Sequence, residues 1–139
     1  MQGLEGIRVV ELGQMIAVPW ATRLIADLGA DVVKIEPPEG DRARQRGPFP
    51  GGPDASQSGL FIHLNINKRS VVADLTKSSD VTRLHELLQE ADLLLHDLPP
   101  DVANSVGLHE DELARQHPSL VTVSVTPFWP IRALFALGR

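Results

Sequence analysis

The chain has no cysteine. That removes disulfides, cysteine nucleophiles and thiolate metal sites together, and it fits a reducing cytoplasm, the expected location. Basic blocks are missing too. Thirteen Lys and Arg stand against 18 Asp and Glu, a net charge of −5, whereas a nucleic-acid surface needs clustered Lys and Arg. No nucleic-acid partner is expected. No apolar run approaches the roughly 20 residues that span a bilayer, so no membrane partner is expected either. The opening residues, Met1 to Arg8, lack the basic and apolar regions of a signal peptide. The metalloprotease HExxH pattern and the GxSxG nucleophile turn are absent. What is present is 139 residues, 42% hydrophobic and 22% charged. That describes one soluble globular domain with a real core.

The most ordered stretch runs from Ile7 to Glu36 and reads as strand, turn, helix, turn, strand. Ile7, Val9 and Val10 form an apolar run ending in Glu11. Ala17 and Pro19 introduce a helix, because proline's missing N–H has no partner in a first turn. Trp20, Leu24, Ile25 and Leu28 recur at helical spacing, and Gly29 stops the helix. Asp31 to Ile35 is a second, β-branched run. Two strands joined by one such helix favour parallel pairing. Ligands of such sheets bind beyond the carboxyl ends of the strands, where Gly13–Val18 and Glu36–Asp41 fall.

From Pro37 to Gly59 the chain is rich in Pro, Gly and polar residues and reads as a loop of about 20 residues, ligand-covering or mobile. Arg42, Arg44 and Arg46 alternate within it. They read first as a solvated charged loop, and second as phosphate contacts. Leu60–Ile66 is a short helix or an irregular buried segment. Val71–Leu75 is a third strand candidate. Ser78 or Ser79 can cap the helix whose one apolar face is Val81, Leu84, Leu87 and Leu88. Ala91–His96 is a fourth strand, buried on both faces. Short helices are predicted over Asp101–Ser105 and Glu110–Gln116, and a fifth strand over Leu120–Val125. The alternation predicts an α/β domain around a mainly parallel sheet. In the tail, Ile131, Leu134, Phe135 and Leu137 form a candidate apolar helix.

Chemistry is harder to read. A dinucleotide turn after the first strand should run GxGxxG, yet only Gly13 is present, with Met15 and Val18 at the other two glycine positions. The turn and helix start still offer N–H groups to an anionic group. The histidines His63, His85, His96, His109 and His117 show no metal-ligand spacing, so no metal is expected. His85, His109 and His117 read as solvated. His96 and Asp97 end the fourth strand and read as a strand-end turn before a catalytic pair. Glu36, Asp41, Asp74 and Asp97 lie near strand ends, and none is singled out as a nucleophile.

Several blocks in order resemble the class III CoA-transferase family, which includes formyl-CoA and carnitine CoA-transferases and α-methylacyl-CoA racemase. They are Ala17-Val18-Pro19, Leu24 through Pro38, Asn67-Lys68-Arg69-Ser70, Asp74-Leu75, Glu90 through Leu95, Gly107-Leu108, Leu113, and Pro118 through Val121. The resemblance covers Leu4 to Val125. It implies a Rossmann-like, mainly parallel sheet flanked by helices, as the incomplete N-terminal part of a larger domain. Residues 1–125 would be that part and 126–139 a divergent tail. It implies coenzyme A as carrier, acyl-CoA and carboxylic acids as substrates, no metal, and a homodimer in the intact family.

Gln14, Met15, Ile16 and Ala17 map to the CoA-facing turn. Asp97 and Leu98 fall in a segment that also lines the family's site. There Leu98 replaces an aromatic residue and Asp101 a glycine. Lys68 is a matched cation suited to phosphates. The family's nucleophile is an aspartate following the fifth strand, and no Asp or Glu occurs here after Glu112. No catalytic residue is therefore assigned. The tail is expected to have left the family's pattern through truncation or a shifted frame. Acyl-CoA racemase homologue, NAD-binding module and noncatalytic interaction domain are the alternative readings.

Overall fold

The computed structural model describes residues 3–52 and 57–126. Its first unit is β1 (Arg8–Leu12), α1 (Ala17–Asp27) and β2 (Asp31–Glu36). There follow a 3-10 turn (Arg42–Gln45), α2 (Gly59–Asn65), β3 (Lys68–Val72), α3 (Ser78–Gln89) and β4 (Leu93–His96). Then come α4 (Pro100–Ser105), α5 (Glu110–Gln116) and β5 (Val121–Ser124). The five strands form one sheet in the order β3-β2-β1-β4-β5, every pair parallel. The α/β class with a mainly parallel sheet, expected from the alternation of elements, is the one observed, and it agrees with the Rossmann-like sheet that the resemblance implies. β1 and β4 are neighbours without being consecutive, so the direction of strand addition reverses between them. A ligand crevice belongs at the carboxyl ends of that pair.

Alternation along the strands sends neighbours to opposite faces. On one face Val9, Val32 and Leu95 pack against Val18 and Ala26 of α1. On the other, Val10, Leu12, Ile35 and Leu94 meet Leu84 and Leu88 of α3, Ala103 of α4 and Leu113 of α5. Among the described residues no helix is long and apolar enough to cross a membrane.

Four expectations need correction. The stripe Trp20, Leu24 and Leu28 is 43–54% exposed. α1 turns Val18, Thr22 and Ala26 inward instead. Small inward residues let α1 sit close to the sheet: a Cβ on Gly13 would lie 2.3 Å from Val18 Cβ. The third strand begins three residues earlier than expected, at Lys68, and pairs Lys68 with Val32. It is an edge strand, and charged residues such as Lys68 and Arg69 at an edge discourage pairing with other chains while hiding the apolar pattern. No serine caps α3; the residue before it is Lys77, without a side-chain cap. Finally, His85 and His117 are not solvated. Their rings stack with centroids 5.6 Å apart, and His85 Nε2 lies 2.9 Å from the Val106 carbonyl oxygen.

The predicted loop at 37–59 is partly organised. Its arginines are neither a free charged loop nor a row of equivalent groups. Arg44 forks onto Glu36 at 2.7 and 2.8 Å and lies 3.6 Å over the Phe61 ring. Arg42 Nε donates to the Gln14 side-chain oxygen at 3.1 Å. The segment expected to be either helix or irregular is α2, with Ser58 accepting from Phe61 N–H at its start. The candidate tail helix at Ile131–Leu137 lies outside the described residues.

Candidate functional site

Central strands of a parallel sheet are covered on both faces and are ordinarily apolar. Here Glu11 of β1 and Lys34 of β2 are register partners, 0% and 1% exposed. Such charges are tolerated only when paired and fully hydrogen-bonded. Lys34 Nζ lies 2.8 Å from Glu11 Oε1, 2.8 Å from Asp41 Oδ2 and 2.6 Å from the Gly13 carbonyl oxygen. Lys68 Nζ reaches Glu11 Oε2, the Pro19 carbonyl oxygen and Asn65 Oδ1 at 2.8–3.0 Å. Each ammonium has three hydrogens and three oxygen partners. Thr22 Oγ1 donates to Glu11 at 2.6 Å. Burial presses Lys68 below the ordinary lysine range, and Glu11 opposes that shift.

Beside this cluster, Glu36 ends β2 and is 2% exposed. Burial works against its charge. Arg44, the Ser70 hydroxyl and the Asp41 N–H outweigh burial and hold the carboxyl at about 2. Asp41 is fully buried. Its Oδ1 accepts from Met15 N–H at 3.0 Å and Ala43 N–H at 2.8 Å. Among the described residues its Oδ2 makes only the ionic contact with Lys34, without a well-directed hydrogen bond.

The consequence is local. Three consecutive residues after β1 are each held from a different part of the fold. The Gly13 carbonyl is held by Lys34 of β2. Gln14 N–H donates to Asp97 Oδ2, just beyond β4, at 3.1 Å. Met15 N–H is held by Asp41. Met15 sits at φ 64°, in the left-handed region that side chains rarely adopt. Burial raises the Asp97 carboxyl pKa, opposed by Gln14 N–H, Lys34 and Arg42 and reinforced by Asp41.

This turn borders a cavity of about 370 Å³ at the carboxyl edge. Gln14, Asp97 and Leu98, all anticipated, line it, together with Pro37, Pro38 and the segment Ala73–Thr76. Met15, the last residue of the turn, and Ile16 and Ala17 after it do not line the cavity. Ile16 is 55% exposed. Lys68 is elsewhere: its side chain is 1% exposed and committed to Glu11, so it presents no charge to the cavity. His96 is buried on β4, its Nδ1 without a hydrogen-bond partner among the described residues, and burial lowers its pKa against the pull of Asp97. Asp97 bonds Gln14 instead, so the two do not form a hydrogen-bonded pair. Reading the sequence alone missed Lys34 and Asp41 as holders of the turn. Two opposite charges interrupting two apolar strand runs were the available signal.

The family model described as CoA-transferase family III matches residues 4–129. The chain belongs to CoA-transferase family III. Among its relatives, the succinate–glutarate CoA-transferase of Agrobacterium fabrum is 39% identical over 129 residues, which is 90% of this chain and 32% of that protein. The cinnamoyl-CoA:phenyllactate CoA-transferase of Clostridium sporogenes is 37% identical over 88% of this chain and 30% of its own length. In structure, a CAIB/BAIF family protein from Brucella suis superposes with a TM-score of 0.82 at 33% identity, over 91% of this chain and 34% of that one. Rv3272 from Mycobacterium tuberculosis gives 0.80 at 34% identity, over 90% and 34%. The chain therefore spans about a third of the length of these family III relatives.

Proposed function

We propose that this chain is the CoA-binding N-terminal third of an enzyme that moves CoA between carboxylic acids. The observation that carries the reading is the thrice-held turn Gly13–Met15 beside a 370 Å³ cavity, at the point where strand order reverses, in a family III chain. The CoA-facing set is Gln14, Met15, Ile16, Ala17, Asp97 and Leu98. The cavity wall itself carries Glu39, Asp74 and Asp97. Carboxylates repel phosphate, so the cavity suits an uncharged part of CoA. The phosphates belong on the outer side, near Arg42, which already reaches Gln14. This revises the role given to Lys68.

The chain by itself binds CoA and does not transfer it. No Asp or Glu follows Glu112 in these residues, so the side-chain carboxylate that the family resemblance places after the fifth strand as nucleophile is not among them. We place the end of the family-like domain at 125, four residues short of the end of the family match at 129, and treat 126–139 as divergent. Sequencing the coding DNA past Phe128 tests that placement, which falls if no frame encodes an acid shortly after the fifth strand. For the intact protein we favour a cytoplasmic homodimer acting on acyl-CoA and carboxylic acids, on family resemblance alone. Transferase is preferred to racemase because the relatives named above are transferases.

The test is an NMR titration of the 139-residue chain with CoA, with NADH in parallel. Amides of Gln14, Asp97 and Leu98 shift with CoA and not with NADH. Silence of these amides at millimolar CoA refutes the reading, and a response to NADH alone favours a dinucleotide module. Acyl-CoA transfer by the isolated chain would overturn the claim of inactivity.

A further inference from the structure

We propose that Asp41, backed by Lys34, is a positioning residue that sets the Gly13–Met15 turn for its ligand. The proposal rests on the CoA reading of that turn, and one arm of its test does not. A buried charge cluster has no need to touch a ligand-facing turn. Lys68 shows this, being satisfied by Glu11, Pro19 and Asn65 without reaching any of the three turn residues. Lys34 and Asp41 are different. Each uses part of its bonding on the cluster and part on the turn backbone: Lys34 on the Gly13 carbonyl, Asp41 on Met15 N–H.

Asp41 is itself braced from behind. Its own N–H donates to Glu36 Oε2 at 2.9 Å, and Glu36 is fixed by Arg44. The line Arg44–Glu36–Asp41–Met15 thus connects the 3-10 turn to a residue held at positive φ. A left-handed, non-glycine residue persists only where its surroundings over-determine it. Asp41 Oδ1 is the side-chain acceptor that does so at Met15, and a buried carboxylate accepting backbone N–H groups makes a strong, directional bond.

Three variants separate positioning from bulk stability. Asp41→Ala removes the acceptor. Amide hydrogen exchange at Met15 should speed up about tenfold, and the CoA dissociation constant should rise about tenfold, as for one lost charge-assisted bond. Asp41→Asn keeps an oxygen acceptor without the charge and should return both readings to within about threefold of the parent. Lys68→Met disturbs the same cluster without touching the turn. It should lower stability and leave Met15 exchange and CoA affinity at parental values. Should Asp41→Ala fail to fold, Asp41→Glu retains the charge and displaces the acceptor by one methylene, and the same losses are expected.

Lys68→Met weakening CoA as much as the Asp41 variants would overturn the proposal, leaving the cluster a purely structural element. Unchanged Met15 exchange in Asp41→Ala or Asp41→Glu would also overturn it. If the parent chain does not bind CoA, the CoA reading fails and the exchange measurements alone decide the positioning role.

Discussion

Glu36 gives the sharpest test of the charge cluster. Its carboxyl is held at about 2, against an ordinary 4.5. A depressed acid contributes stability that is complete above its unfolded pKa and is lost as pH falls through the folded one. The window is therefore pH 4.5 down to about 2. The full difference corresponds to about 3 kcal/mol. Arg44, the main partner, is 46% exposed, and water screens its half of the pair, so about 2 kcal/mol is expected. The perturbation is Glu36→Gln, which keeps shape and removes the titrating group. The assay is urea unfolding by circular dichroism from pH 6.5 to 2.5. At pH 6.5 the variant should be less stable by about 2 kcal/mol. As the parent's Glu36 protonates, the gap should close. A gap that stays constant across the range refutes the reasoning, because it would mean that the charge of Glu36 is not what Arg44, Ser70 and Asp41 stabilise.

Three further predictions follow from the same packing. Gly13→Ala would put a Cβ 2.3 Å from Val18 Cβ, and should cost about 2–4 kcal/mol through overpacking under α1; a loss below about 0.5 kcal/mol in denaturant midpoint would contradict the close approach. Thr22→Val removes the hydroxyl bonded to Glu11 and should destabilise by about 1–2 kcal/mol, read in the same way. His117 has its pKa lowered by burial and by His85, so its neutral form supports the fold above about pH 6.5 and the support fades as pH falls below it. His117→Leu should flatten the stability–pH slope below about pH 6.5 without abolishing it, since His96 is also buried. An unaltered slope in this variant would contradict the assignment.

Much of this protein was legible in its residue order. Local spacing carries helices and buried strands, because one element's periodicity is written in consecutive residues. β2, expected over Asp31–Ile35, appears at Asp31–Glu36, and β4, expected over Ala91–His96, at Leu93–His96. The strand pattern put Gln14 and the residues ending β4 at the carboxyl edge, and Gln14, Asp97 and Leu98 line one cavity there. β3 was misplaced because an edge strand keeps little apolar pattern: Ser70, Val71 and Val72 are all exposed.

The functional weighting of the charged residues was decided by tertiary structure. In the sequence, Lys68 is a cation beside another cation, and Lys34 is a charge inside an apolar run. Only the sheet, which sets Glu11 beside Lys34 and brings Lys68 to the same carboxylate from 57 residues away, shows the two ammoniums buried and paired. Only the packed loop shows Asp41 reaching back 26 residues to Met15. Charge type and strand propensity are properties of single residues and their neighbours. Which charges meet, and which backbone groups they hold, depends on strand order and burial.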